Sequence, residues 1–300
     1  MPIAGCARAK LRSTARREVR TVRLYPMKKI LITLAATGIL TATSFAQNHQ
    51  LVKKWETEPA LKTPESVLFD AGAGVLYVSN IDGKEPWAKD GKGSIAKVGL
   101  DGKVIAAEWV TGLEAPKGLG LHQGRLYVAD IDRVVVIDVA KGSIAQTILV
   151  EGAQRLNDVT IDAAGVVYVS DSQGGKVYAI TQGKPSVYLE KLKGPNGVLA
   201  HGNDFYVLDS GTMFKVGKDK TLTKVVDGME ASTDGIEHVQ GDEFIVSSWN
   251  GVVYYVKGGE KQQLLDTRPV HSADIGYDAK NRIVYVPTFF KNTVVAYDVK

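Results

Sequence analysis

From residue 51 onward, apolar and polar positions alternate in short runs rich in Val, Ile and Tyr, and no window sustains a helical period. Glycine, Asp and Asn punctuate the runs, as turns between strands require. The pattern also repeats: a polar tetrad, an apolar strand, a turn and a Tyr-Val-type strand recur six times. The tetrads begin at Pro64, Pro116, Leu156, Pro195, Thr233 and Ser272, and their second positions are spaced by 52, 40, 39, 38 and 39 residues. The long first interval holds a polar insertion, Lys84–Gly93, read as an extended loop.

Two further β-rich stretches complete each unit. Third strands are predicted at Ser94–Val98, Arg133–Asp138, Lys176–Ile180, Met213–Val216, Val252–Val256 and Thr293–Tyr297. Fourth strands are predicted at Val104–Val110, Ile144–Val150, Ser186–Leu189, Leu222–Val226 and Gln262–Leu265. Four strands in about 40 residues define a propeller blade, so the predicted fold is an all-β six-bladed propeller. A parallel β-helix has shorter coils. The sixth unit ends after its third strand, and the segment Leu51–Trp55 is the natural fourth, closing the ring and removing its open edges.

Charge changes the picture at the N-terminus. Residues 1–46 carry nine basic side chains against Glu18, a net of +8, which turns the overall +4 into −4 for residues 47–300. From Met27 a basic start, an apolar run and small residues up to Ala46 follow the layout of a secretory signal peptide. The run is too short for a good membrane span. The expected organisation is a leader over 1–46, with Met27 an alternative start, and one propeller domain over 47–300. The mature chain is expected to be exported, periplasmic or secreted, with no membrane span. The single cysteine, Cys6, falls in the leader, so the mature chain forms no disulfide and no thiolate metal site. Its acidic balance argues against nucleic-acid binding.

The repeat serves as a coordinate system. The second tetrad position begins each innermost strand at one mouth of the channel, so Glu65, Lys117, Asn157, Asn196, Asp234 and Ala273 converge on the axis. Two carboxylates and two carboxamides make a set of hard oxygen donors suited to a divalent cation, Ca²⁺ first, with Mg²⁺, Mn²⁺ or Zn²⁺ as alternatives. Singly, each of these residues is an ordinary turn former before a strand. Arg155 and His271, two residues before the axial position, are expected on the same mouth, where Arg155 would orient a substrate and His271 would transfer a proton. Asp158 and Asp274 add acid one residue further in. His122, His201 and His238 fall at the opposite turn. No P-loop, GxSxG elbow or HExxH motif occurs.

Glu65, Arg155-Leu156-Asn157-Asp158, Pro195-Asn196-Gly197 and Asp234-Gly235, in this blade order, resemble the regucalcin/gluconolactonase family across the whole of 47–300. The resemblance implies a divalent metal held by Glu65, Asn196 and Asp234, with Asn157 completing the shell. It implies substrate contacts from Arg155 and Asn157 and a double role for Asp234 as ligand and general base. The chain departs from the family at Ser66-Val67, where Gly-Pro is usual, and at Val159. Lys117 at the axis would either weaken cation binding or hold a substrate carboxylate. The expected activity is metal-dependent opening of a sugar lactone or similar cyclic ester. The alternative is a non-catalytic exported propeller of NHL type that binds a ligand, glycan or protein at the same mouth.

Overall fold

The computed structural model describes Thr21 and residues 48–83 and 85–300; the leader with its cleavage site near Ala46 lies outside the described residues. Six four-stranded antiparallel sheets follow one another around a ring. Their innermost strands are Pro64–Asp70, Pro116–His122, Leu156–Ile161, Pro195–His201, Thr233–Gln240 and Gly276–Asp278. Predicted outer strands reappear with small changes at their ends: Arg133–Asp138 and Leu222–Val226 are unchanged, and Val104–Val110 extends to Leu113.

The sixth blade closes as its sequence demands. Leu51–Glu56 pairs antiparallel with Val294–Val299, Leu51 opposite Val299 and Glu56 opposite Val295. Glu56 strengthens the seam, accepting a hydrogen bond from Thr293 Oγ1 at 2.9 Å and pairing with Lys291 and Lys53 at 2.6 Å each.

The core lies between blades because each sheet offers two apolar faces to its neighbours. Val134, Val136 and Ile148 of blade two pack on Leu156, Val169 and Tyr178 of blade three, and the other interfaces repeat the arrangement. The second-strand tyrosines fill these seams. Tyr206 meets Phe244 of the next blade at 4.9 Å between ring centroids, and Tyr168 meets Phe205 at 4.8 Å.

Each inner strand of blades one to five begins with a bulge across the tetrad, where the register slips between the first and third or fourth positions. A bulge re-aims side chains that a flat strand would alternate. A serine in the neighbouring strand satisfies the amide freed there: Ser79 Oγ accepts from Ser66 N, Ser170 Oγ from Asp158 N and Ser247 Oγ from Gly235 N. Blade six instead bridges to blade one through Ser66 and Asp274.

Candidate functional site

The loop entering each inner strand is tied to the end of the second strand of its own blade. Asp130 accepts from the amides of Glu114 and Ala115, Asp171 from Gln154 and Arg155, and Asp209 from Lys193 and Gly194. Asn80 does the same for Lys62. In blade five, where Ser248 replaces the acid, its hydroxyl donates to the Ser232 carbonyl. These turn residues look local in the sequence; in three dimensions they hold the backbone from which the axial side chains project.

The axial side chains meet at one mouth. Glu65, Lys117, Asn157, Asn196 and Asp234 line a single cavity of about 270 Å³, and all but the half-buried Asn196 are at most 7% exposed. Asn196 Nδ2 donates to Asp234 Oδ1 at 2.9 Å, which turns its carbonyl oxygen away from that bond. Asn157 Nδ2 donates to Ser172 Oγ at 3.2 Å, with the same consequence. Three oxygens are then left buried with no hydrogen-bond partner: Glu65 Oε2, Asn157 Oδ1 and Asn196 Oδ1. Buried acceptors normally find a donor, and orphaned ones cost about 1–3 kcal/mol each. Their clustering on the axis fits a cation, which would supply what no protein donor supplies there.

Burial pushes the Asp234 carboxyl up, and Glu65 and Asp274 add to it, against the Asn196 hydrogen bond and the Lys117 charge. Burial likewise raises Glu65 and lowers Lys117, each opposed by the other's charge. Among the described residues no three His, Cys, Asp or Glu side chains gather as a metal cluster. The axial set reaches four oxygen donors only when the carboxamides of Asn157 and Asn196 are counted with Glu65 and Asp234.

The remaining predicted residues separate. Lys117 is at the axis, but its ammonium donates to the Pro86 carbonyl at 2.6 Å and lies 4.4 Å from the centroid of the Trp87 ring. The insertion of blade one thus folds over the mouth and occupies the lysine. Arg155 is exposed at the rim, 5.3 Å from the same ring, with no carboxylate partner among the described residues. His271 does not line the cavity. It stacks on Trp249 at 3.8 Å, with Nδ1 3.1 Å from the Trp249 carbonyl, and it is the indole that faces the mouth.

Five lining residues were not singled out from the sequence as site residues: Pro86, Ser232 and the aromatic Trp87, Trp249 and Phe289. A signal existed, because the turn between second and third strands opens on the same mouth as the axial position. That turn carries the insertion in blade one and Trp249-Asn250-Gly251 in blade five. Further along the channel Asp158, Asp274 and Glu237 line a second cavity of about 190 Å³. Ser66 Oγ donates to Asp274 at 2.6 Å, whereas Asp158 Oδ1 has no partner. His201 and His238 stack at 3.7 Å, brought together by the repeat rather than by sequence proximity.

Fold and site define a six-bladed propeller with an oxygen-donor centre on its axis. The chain belongs to the SMP-30/Gluconolactonase/LRE-like family, whose region matches residues 63–233. No curated protein matches it significantly. Among solved structures it is similar to a putative gluconolactonase, at 14% identity and a TM-score of 0.63, covering 85% of this chain and 94% of the other. It is also similar to a catalytically inactive virginiamycin B lyase from Staphylococcus aureus with quinupristin, at 12% identity, a TM-score of 0.58 and coverage of 84% and 99%. A nidogen/laminin complex contains a chain 15% identical, with a TM-score of 0.60 and coverage of 72% and 84%. At these identities the three establish a shared fold.

Proposed function

We propose that the protein is an exported, divalent-cation-dependent lactonase working at the axial mouth. The observation that carries this reading is the set of buried, partnerless oxygens on Glu65, Asn157 and Asn196 beside the Asp234 carboxylate. Those four residues would hold the cation, Ca²⁺ being the best match to neutral and anionic oxygen donors. When bound it would polarise the ester carbonyl and stabilise charge developing on its oxygen.

The chain's own groups do the rest. Asp234 Oδ1 is fixed by Asn196, which leaves Oδ2 to take a proton from the water that adds to the carbonyl carbon. The ring C–O bond then breaks, and the leaving oxygen recovers a proton from Asp234. Arg155 at the rim would meet an anionic or polar substituent as substrate enters. Because His271 stands behind Trp249, Asp234 is the base assigned here.

The test starts with the chelator-treated mature protein, titrated with Ca²⁺, Mg²⁺, Mn²⁺ and Zn²⁺ by calorimetry beside Asp234→Ala. One-to-one binding in the wild type, abolished together with lactone hydrolysis in the variant, is the expected outcome. Hydrolysis preserved in Asp234→Ala would remove the assignment. No cation binding by either protein would favour the non-catalytic propeller. Export predicts a mature chain beginning at Gln47, read by N-terminal sequencing. Among the described residues no helix is long and apolar enough to cross a membrane.

A further inference from the structure

Closing the ring still leaves each blade one free edge on the outside, because its outermost strand has a neighbour on one side only. Such an edge presents unpaired amides and carbonyls to any passing strand, and proteins commonly guard it with charge or proline. Five of the six outermost strands are guarded in this way. Lys53, Glu108, Lys184, Lys224 and Lys261 each sit in one of them.

The outermost strand of blade two, Ser143–Leu149, is the exception, with no charged residue and no proline. All of its residues but Ile148 are exposed, Ile144 at 41% and Leu149 at 65%. A bulge does not set it apart, since the register of every outermost strand slips against the third strand of its blade. What this strand lacks, and the other five have, is charge along the edge.

Its flanks, by contrast, are charged and opposite in sign. Lys141 stands just before the strand and Glu151 just after it, both exposed. Lys141 has only a 3.9 Å approach to Asp138 to hold it. Two copies laid antiparallel along this edge bring the basic end of each against the acidic end of the other, with the two-fold axis near Gln146. A parallel arrangement would set like charge against like.

We infer that blade two pairs antiparallel with blade two of a second copy of this chain, joining two four-stranded sheets into one across a two-fold axis. Each copy offers one such unguarded edge, so the assembly closes at two and does not propagate. A seam of one strand from each copy is small for a protein interface, which puts the exchange between monomer and dimer in the micromolar range. The inference stands apart from the lactonase reading, and its readout needs no substrate and no cation.

The test is sedimentation velocity of the mature protein over a micromolar concentration series. Wild type is expected to pass from monomer to dimer as concentration rises. Gln146→Lys, at an exposed position where two lysines would face each other across the axis, is expected to weaken association about fivefold or more with Tm unchanged. Lys141→Glu is expected to weaken it about threefold, through like charge at both ends of the seam, and Lys141→Glu combined with Glu151→Lys is expected to restore it. A monomer at every concentration overturns the inference. So does a dimer unmoved by both single variants, which would place the contact elsewhere on the ring. Capture of a peptide spanning residues 141–151 by a protein that itself stays monomeric also overturns it, and assigns the edge to a foreign strand.

Discussion

At the scale of single residues, Lys117 is the group whose position and whose bonding tell different stories. It projects to the axis beside Glu65 and Asp234, yet its ammonium is held by Pro86 and lies near the Trp87 ring. Its charge opposes a second cation, and its bond anchors the insertion. Lys117→Met should therefore tighten cation binding, by on the order of 1 kcal/mol at a partly screened separation, while weakening substrate binding through a looser Trp87. Calorimetry and KM read the two effects separately; weaker cation binding would show that Lys117 supports the donors instead of opposing them. Glu65, Asn157, Asn196 and Asp234 were legible in the sequence because they share one offset in a repeat. Trp87, Trp249 and Phe289 were not, because they come from turns of different length that carry no common register. The place of His271 was misleading for a related reason: an offset gives the mouth a side chain occupies, but not the neighbour that screens it.

At the scale of elements, the inner strands approach one another most closely where they carry the site. A Cβ added at Gly197 would press on the Asp234 carbonyl oxygen and stand 2.7 Å from Leu208 Cδ1. One added at Gly235 would stand 2.5 Å from Asp274 Oδ1, and one at Gly118 2.5 Å from Asp158 Cα. Backbone cannot swing aside as a side chain can, so Gly197→Ala should cost about 1–3 kcal/mol and displace Asp234. The expected result is a lower Tm together with weaker cation binding, by thermal unfolding and calorimetry. A variant of normal Tm and normal affinity would mean that the blades can spread. The strands themselves were readable from alternation and turn residues. Their bulges were not, because a bulge depends on pairing across strands, and only the Ser79, Ser170 and Ser247 hydroxyls betray where one is stabilised.

At the scale of the molecule, stability depends on the seam where Leu51–Glu56 meets Val294–Val299. Burial pushes the Glu56 carboxyl up, but hydrogen bonds from Lys291, Lys53 and Thr293 prevail and bring it from the usual 4.5 to about 2. In that window the unfolded chain binds more protons than the folded one, so the contribution is complete above pH 4.5 and lost as pH falls through 2. Both lysines are half exposed, which keeps the effect small. Glu56→Gln should cost on the order of 1 kcal/mol at pH 7, and the gap to wild type should narrow between pH 4.5 and 2 in denaturant titrations. A gap independent of pH would assign the loss to packing.

The same seam joins residues far apart along the chain: the hydrogen bond from Thr293 to Glu56 spans 237 positions. As the chain emerges, Leu51–Glu56 must wait for Val294–Val299 before it has a partner. Until then five blades form an open arc whose final edge is bare. Synthesis of Val294–Val299 is thus the step at which the geometry lets the ring close.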